Sequence, residues 1–433
     1  MNQIISKLII YGNLQSDCIL MELADICVKV KSGEFDKDKL VTRIYRQIKK
    51  ILIIATDYGF DRNLWQNYLT YLLITDENPF SITCEKVGAN EGSVNHFAKN
   101  DFRVFMELFH YDFTYLENTL EVDCFSTLSN YHAIGKPELM YNKNVSEKVR
   151  TLSEKLAQAH TEEEFFTRVT DFYKDFGVGM FGLNKAFRIA GADDLGHITF
   201  QAINNMDKVM LSDLIGYEIQ KKKLIANTKA FVEGRKANNV LLFGDSGTGK
   251  STSIKAIVNE FYDKGLRMIE IYKHQFKDLS NVIAQIKNRN YKFIIYMDDL
   301  SFEEFEVEYK FLKAVIEGGV ETKPENILIY ATSNRRHLIK ETWNDRNDME
   351  YQEGMHRSDT MEEKLSLVNR FGVTICYSKP TPKEYYEIAV GLARRAGITM
   401  SDEDIKAEAN KWELSHGGIS GRTAQQFVNY LLG

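Results

Sequence analysis

The apolar and polar positions of the chain follow two rhythms, which change near Ala202. Up to about Ala190, apolar residues recur at steps of three and four, the spacing of an amphipathic helix. This pattern predicts helices at residues 20–30, 40–55, 64–73, 102–109 and 145–176. Within the last of these, Thr161 and Glu164 precede two phenylalanines at the spacing of a capping box. We therefore expect an irregular helical domain over residues 1–195.

After Ala202 short apolar runs alternate with helical segments. The runs at residues 240–243, 267–272, 293–297 and 326–331 are rich in Ile and Tyr and predict strands. Helices are predicted at residues 252–262, 279–287 and 309–317. Such alternation indicates a parallel sheet with covering helices, so residues 203–378 are predicted to form an α/β core.

From residue 379 onward the strand pattern disappears. Thr381-Pro-Lys-Glu384 is predicted to open a helix, and further helices are expected at residues 402–414 and 420–432. The tail, residues 379–433, is therefore predicted to be a small helical lid.

The composition is that of a folded protein with more than one domain. Its 433 residues are 44% hydrophobic and 27% charged, and the formal net charge is -6. An acidic balance argues against a globally basic nucleic-acid binder, although it is compatible with a local basic patch.

Cysteine usage and apolar segments indicate the compartment. The five cysteines lack paired spacing, which predicts buried thiols instead of disulfides or zinc ligands. The apolar residues 1–11 are interrupted by Lys7 and lack a cleavage site, so we expect no signal peptide. No long uncharged apolar stretch predicts a transmembrane helix. Together these features predict a cytoplasmic protein.

A complete phosphate-binding loop, G-x-x-x-x-G-K-[ST], follows the first predicted core strand and opens a predicted helix. Its glycines let backbone N–H groups turn around a phosphate, the lysine reaches the β- and γ-phosphates, and the serine hydroxyl binds Mg²⁺. The predicted contacts are Gly244, Asp245, Ser246, Gly247, Thr248, Gly249, Lys250, Ser251 and Thr252. This motif predicts a nucleoside triphosphate with Mg²⁺ as the ligand.

A second glycine pattern, G-x-G-x-x-G at residues 177–182, matches the dinucleotide fingerprint but lacks its context. That fingerprint requires a preceding strand, whereas residues 163–176 are predicted to be a helix. We interpret these glycines as a turn that closes the helical domain.

Two carboxylates, Asp298 and Asp299, end the predicted strand at residues 293–297. Ligands collect at the carboxyl edge of a parallel sheet. Asp298 is therefore the candidate for the Mg²⁺ shell, and Asp299 the candidate that orients the attacking water. The alternative is that the acidic pair caps the next helix and meets solvent.

The next predicted strand ends in Thr332, Ser333 and Asn334. Position favours Asn334 as a hydrogen-bond partner of the attacking water or the γ-phosphate, with Thr332 or Ser333 as substitutes. The structural alternative is a turn that caps the following helix.

Two weaker features are interpreted as structural. Lys221-Lys222-Lys223 is typical of a solvated helix face rather than a site for an anionic partner. Phe276, although next to Gln275 and Lys277, is interpreted as a core residue instead of part of a pore loop.

The order of these motifs resembles that of the AAA+ ATPases. Besides the phosphate loop and the two strand ends, the resemblance includes Asn369-Arg370-Phe371-Gly372 and Gly418-Ile-Ser-Gly-Arg422-Thr-Ala424. The strings at residues 237–242, 330–338 and 361–371 are more narrowly similar to a bacterial family known as domain of unknown function 815. The resemblance is specific over residues 214–432. It implies a P-loop NTPase of AAA+ type: a three-layer parallel-sheet core with a helical N-terminal domain and a helical lid.

The resemblance also implies ATP as the nucleotide and a role for each matching residue. Asn334 matches the sensor-one position, and Arg422 matches the sensor-two arginine, which reaches the γ-phosphate from the lid. Arg370 matches the arginine finger that a neighbouring subunit inserts, which implies a homo-oligomer. Ile215 and Gly216 resemble the segment near the adenine. Arg346 and Arg357, in the polar stretch at residues 344–360, are alternatives to Arg370.

One position departs from the common AAA+ pattern, since Asp299 stands where many members carry Glu. The shorter side chain is expected to slow hydrolysis. Three functions fit these residues: a remodeller of protein clients, a loader or regulator acting on nucleic acid, and a slowly hydrolysing switch gated by nucleotide. The client is not identified by any residue of the helical domain.

Overall fold

The computed structural model describes residues 1–12, 18–33, 35–135, 142–193, 196–204, 206–302, 308–317, 324–334 and 367–433. The chain divides into two compact units, Met1–Asn184 and Lys185–Gly433. The first unit therefore ends before residue 195, the predicted boundary. The reason is that residues 186–192 form a strand that pairs within the sheet of the second unit.

The first unit is helical, as predicted. Its helices are α1 (Asn2–Ile5), α2 (Ile19–Ser32), α3 (Lys37–Tyr58), α4 (Leu64–Thr75), α5 (Pro79–Val87), α6 (Ser93–Phe109), α7 (Thr114–Leu120), α8 (Cys124–Ser129), α9 (Lys143–Ala157), α10 (Glu162–Phe176) and α11 (Gly179–Leu183). The single helix predicted at residues 145–176 is thus two helices, α9 and α10.

Local capping explains where α10 begins. The Thr161 side chain accepts a hydrogen bond from the Glu164 backbone N–H at 3.2 Å. The Glu164 carboxylate accepts from the N–H of His160, one residue before the N-cap, at 2.9 Å. The predicted capping box is therefore only half formed, with its second bond displaced by one residue.

The end of α10 supports the rejection of the second glycine pattern as a dinucleotide fingerprint, although residues 179–183 form a short helix instead of the predicted turn. Gly177 (φ +79°) is the C-cap of this helix, and the short α11 follows. Because a helix and not a strand leads into these glycines, the context of a dinucleotide site is missing.

In the second unit, the described residues form a seven-stranded sheet. Its strands are β1 (Ala186–Ala192), β2 (Ile198–Ala202), β3 (Val240–Gly244), β4 (Leu266–Glu270), β5 (Lys292–Met297), β6 (Ile327–Ser333) and β7 (Val373–Tyr377). The order is β2-β1-β4-β5-β6-β3-β7, and every neighbouring pair is parallel except the antiparallel β1 and β2. The α/β fold class is confirmed.

Helices α12 (Glu218–Val232), α13 (Lys250–Phe261), α14 (Leu279–Ile286) and α15 (Glu308–Glu317) connect the strands. All residues of β6 are buried, and so are residues 293–297 of β5. Since successive side chains point to opposite faces, both faces of the sheet are covered, which makes the core three layers thick.

The lid, residues 379–433, is built from α16 (Pro382–Arg395), α17 (Asp402–Ser415) and α18 (Gly421–Leu432). These helices pack on their own apolar cluster, which includes Tyr385, Ile405 and Phe427. At the start of α16, Thr381 and Glu384 form both hydrogen bonds of a capping box.

Two predictions about the chain as a whole can be compared with the described residues. Among them, no helix combines the length and apolar character needed to span a bilayer. All five cysteines lie in the described residues and are reduced thiols, but only Cys27 and Cys84 are buried, while Cys376 is exposed. The prediction of uniformly buried thiols was therefore wrong, because Cys376 lies at an outward-facing position of β7.

Candidate functional site

The loop after β3 has a backbone that only glycine adopts without strain. Gly244, Gly247 and Gly249 have φ values of +132°, +76° and +88°. A Cβ on Gly244 would lie 2.1 Å from the carbonyl oxygen of Tyr377 on the neighbouring strand. Gly244 is therefore required by both its dihedral angle and its packing.

Lys250 is the first residue of α13, and its side chain turns back into this loop. Its ammonium donates to the carbonyl oxygens of Gly244 at 3.0 Å and Asp245 at 2.6 Å. It also donates to Oδ1 of Asn334 at 3.0 Å. Burial lowers the pKa of Lys250, and the nearby carboxylates, Asp299 foremost, oppose that shift. The loop thus holds an ammonium group ready to meet an anion.

Ser251 and Asp298, which we call the cation pair, lie where the start of α13 meets the end of β5. The Ser251 hydroxyl donates to Oδ1 of Asp298 at 2.7 Å, and the Thr332 hydroxyl donates to the same oxygen at 2.6 Å. Burial by itself would raise the pKa of Asp298, but the neighbouring hydroxyl groups of Thr332, Tyr296 and Ser251 outweigh it and lower the pKa.

The cation pair fits a magnesium ion in its chemistry. A hydroxyl oxygen and a carboxylate are hard oxygen ligands of the kind that Mg²⁺ prefers. Both hydroxyl bonds go to Oδ1 of Asp298, so the Ser251 oxygen and the Asp298 carboxylate lie close enough together to contact one cation.

Asp299 has a left-handed backbone, with φ of +50°, which is rare for a residue other than glycine. Its N–H donates to the Thr332 hydroxyl at 2.9 Å, which holds this conformation. Its carboxylate accepts from Nδ2 of Asn334 at 2.8 Å. Asn334 thus bridges Lys250 and Asp299.

These groups lie at the edge of a cavity of about 770 Å³ between the sheet and the lid. A cavity of this size is in the range of small-molecule sites. The apolar part is lined by Val209, Leu214, Ile215, Tyr217, Ile388 and Leu392, and the polar part includes Ser246–Thr252, Asp298, Asp299, Asn334, Arg395 and Arg422.

The segment implied to lie near the adenine is only partly at this cavity. Ile215 lines it, whereas Gly216 is not among the lining residues. Lys221 stabilises this segment, because its ammonium donates to the carbonyl oxygen of Leu214 at 2.7 Å. Lys221 is buried, with 8% of its surface exposed, so its interpretation as part of a solvated face was wrong.

Arg422 lies at the start of α18, directly against the phosphate loop. Its backbone N–H donates to the carbonyl oxygen of Gly247 at 3.2 Å, and its side chain lines the cavity. Arg422 is thus brought into the same site as Lys250, as its implied role requires.

Arg370 is exposed and lies away from the cavity of its own chain. It precedes β7, whose first residue, Val373, pairs with Val240 at the start of β3. Since the phosphate loop follows the other end of β3, Arg370 lies at the opposite edge of the sheet. Arg346 and Arg357 lie outside the described residues, as do Arg335 and Arg336.

Two contributors to the site were not identified from the sequence. Thr332, considered only as a substitute for Asn334, holds both Asp298 and the backbone of Asp299. Arg395 of the lid donates to the carbonyl oxygens of Ser212 and Asp213. Arg395 follows Leu392 by three residues and Ile388 by seven, a spacing that puts the three side chains on one face of α16. This spacing is the sequence signal for its position at the cavity.

One family match begins at the boundary between the two units. The family described as "Protein of unknown function (DUF815)" matches residues 184–433, more than half of the chain. A putative replication factor C small subunit of Acanthamoeba polyphaga mimivirus is 32% identical over 76 residues, which is 17% of this chain and 22% of that protein.

Among solved structures, the Thermotoga maritima RuvB Holliday junction branch migration motor is 18% identical. The alignment covers 52% of this chain and 64% of that chain, with a TM-score of 0.36. A variant of the same RuvB gives 17% identity with the same coverage and TM-score. The chain thus spans less than two thirds of the length of each of these proteins.

Proposed function

We propose that this chain, which belongs to the DUF815 family and is related to the AAA+ ATPases, binds ATP with Mg²⁺ and hydrolyses it to ADP and phosphate. The observation that carries the proposal is that two features of the site lie next to each other. The ammonium of Lys250 lies inside a glycine loop, and the cation pair lies beside it with its oxygens 2.7 Å apart. A triphosphate with its magnesium ion is the ligand whose charges match both features.

The binding step depends on the loop and on Lys250. Phosphate oxygens accept from the backbone N–H groups of the loop and from the N-terminus of α13. Lys250 exchanges its bonds to two carbonyl oxygens for bonds to phosphate, which are stronger because both partners are charged. Ser251 and Asp298 would hold Mg²⁺, which when bound neutralises charge on the β- and γ-phosphates.

The hydrolytic step requires Asp299 and Asn334 to orient a water molecule in line with the γ-phosphate. Lys250 releases Oδ1 of Asn334 when it turns to phosphate, so the amide becomes available. Arg422 from the lid, and Arg370 from a neighbouring copy, are proposed to stabilise charge on the transferring phosphoryl group. We further propose that the reaction takes place in the cytoplasm and that the protein acts as a homo-oligomer.

A specific observation favours the slowly hydrolysing switch as a second candidate. The short carboxylate of Asp299 is already bonded to Asn334 at 2.8 Å, and its backbone is held by Thr332. A group held in this way activates water only after a rearrangement, which is consistent with slow turnover.

We propose a protein as the partner of this chain. The viral relative is named a replication factor, but residues 1–184 here carry 20 Lys and Arg against 26 Asp and Glu. Nucleic acid is bound chiefly through phosphate contacts to basic residues. The charge of the first unit therefore favours a protein client over nucleic acid.

Nucleotide binding tests the proposal most directly. We expect Lys250→Ala to weaken binding of a fluorescent ATP analogue with Mg²⁺ by at least about tenfold, the worth of a charged hydrogen bond. Lys255→Ala is the matched control: it removes the same charge from the same helix, where Lys255 pairs with Asp207 at 2.8 Å. Absence of binding by the wild-type protein, or equal affinity of all three, would refute the proposal.

A further inference from the structure

Tyr296 is a buried tyrosine that the proposed reaction does not yet use. It lies on β5 two residues before Asp298, so both side chains point to the same face of the sheet. Only 1% of its surface is exposed, and its ring packs in the cluster that includes Ile254 and Ile257 of α13. Apolar packing at this position needs a ring but not a hydroxyl.

The hydroxyl of Tyr296 makes no hydrogen bond of acceptable geometry with the described residues. Ser251, Asp298 and Thr332 lie close enough to act on it as potential hydrogen-bond partners, although none of them meets the distance and angle of a hydrogen bond in this state. A tyrosine hydroxyl carries a proton that it can donate. An unpaired buried donor is costly and rare in folded proteins, which points to a partner in another state.

Other buried tyrosines of the same sheet are paired, which sets Tyr296 apart. The hydroxyl of Tyr330 bonds with Thr228 at 2.7 Å, and that of Tyr377 donates to Ser253 at 2.9 Å. The unpaired hydroxyl is thus the one next to the cation pair.

Hydrogen bonding at Asp298 explains why the Tyr296 hydroxyl has no acceptor in the nucleotide-free protein. Oδ1 already accepts from Ser251 and Thr332, which leaves little room for a third donor. If the oxygen of Ser251 ligated a cation, its geometry toward Oδ1 would change. An acceptor position of Asp298 would then open to the hydroxyl of Tyr296, which lies beside it on the same face of β5.

We propose that Tyr296 is a positioning residue whose hydroxyl donates to Asp298 once the nucleotide and its cation are bound. The inference rests on the proposed function, because it requires Ser251 and Asp298 to be cation ligands. The hydroxyl fixes the orientation of the Asp298 carboxylate and thereby strengthens cation binding. It adds nothing to the stability of the nucleotide-free protein.

The test compares Tyr296→Phe with Tyr330→Phe in the full chain. Each removes one buried hydroxyl and keeps the ring. Mn²⁺ is titrated by electron paramagnetic resonance into protein saturated with a non-hydrolysable ATP analogue, and thermal unfolding is measured without nucleotide. For Tyr296→Phe we expect about three- to tenfold weaker Mn²⁺ binding, the worth of one hydrogen bond, and an unfolding midpoint that is unchanged or higher.

Tyr330→Phe should show the reverse, with a lower unfolding midpoint and unaltered Mn²⁺ affinity. The inference is overturned if Tyr296→Phe binds Mn²⁺ as the wild type does, or if it unfolds at a lower temperature without nucleotide. If the wild-type protein binds the analogue but no Mn²⁺ with it, the inference falls while nucleotide binding stands. If the wild type binds neither, the proposed function falls as well.

Discussion

At the scale of single residues, the site depends on positions where side-chain identity and backbone conformation are both restricted. Asp299 adopts a left-handed conformation that costs energy for any residue with a Cβ, and Thr332 compensates by accepting from its N–H at 2.9 Å. Sparsely populated conformations of this kind concentrate at functional sites. The pattern of strand and helix predicted that two carboxylates follow β5. It did not predict that Asp298 would bond to Ser251 and Thr332 while Asp299 bonds to Asn334.

Gly244 and Gly265 separate the cost of backbone strain from the cost of close packing. Both have positive φ, but a Cβ on Gly265 meets nothing within 4 Å, whereas one on Gly244 meets Tyr377 at 2.1 Å. We expect Gly265→Ala to lower the free energy of unfolding by about 1 kcal/mol, from strain alone. Gly244→Ala should lower it by about 3 kcal/mol or more, because strain and overpacking add.

Urea unfolding of the two variants measures this difference. Equal losses in the two proteins would mean that the contact between the loop and β7 is not a tight one.

At the scale of elements, the lid helix α16 approaches the cavity through a glycine. A Cβ on Gly391 would lie 2.4 Å from Cδ1 of Ile215, which lines the cavity. Glycine inside a helix costs about 1 kcal/mol relative to alanine. The small residue is therefore explained by the close approach of Ile215 and not by helix formation.

Gly391→Ala is expected to change nucleotide binding more than stability. The gain in helix propensity offsets the rotation of Ile215, which costs about 1 kcal/mol, so the free energy of unfolding should hardly change. The displaced Ile215 should nevertheless narrow the cavity and weaken binding of ATP, measured by calorimetry. Ile215→Val removes Cδ1, the atom in conflict, and should restore much of the affinity in the double variant; failure of this rescue would contradict the explanation.

At the scale of the whole molecule, the position of Arg370 has consequences for assembly. It lies at the opposite edge of the sheet from the phosphate loop of its own chain, so it serves catalysis only if another copy receives it. Turnover should then depend on the concentration of protein.

A mixing experiment tests the contribution of Arg370 from a second copy. We expect Arg370→Ala and Lys250→Ala each to lose ATPase turnover by at least about tenfold. An equal mixture should regain part of it, because Arg370 of the Lys250→Ala chain completes the intact loop of the other. Turnover per chain that is independent of concentration, together with a fully active Arg370→Ala protein, would exclude this arrangement.

The sequence alone was sufficient for features that depend on neighbouring residues. Helical spacing predicted α2, α3 and α4 because burial of one helix face imposes its own period. The phosphate loop was recognisable because its glycines, Lys250 and Ser251 are contiguous and meet their ligand as one segment. The capping box at Thr381 and Glu384 is local in the same way.

Tertiary structure decided what depends on residues far apart in the chain. Nothing in the local pattern predicted that β1 and β2 would extend the sheet next to β4, since strand pairing is a long-range choice. Lys250 and Asn334 meet although 84 residues separate them, and Tyr296 differs from other core tyrosines only by what surrounds its hydroxyl. Contacts between distant segments form only when the whole sheet is assembled, so the sequence named most candidate residues but the fold determined which of them act together.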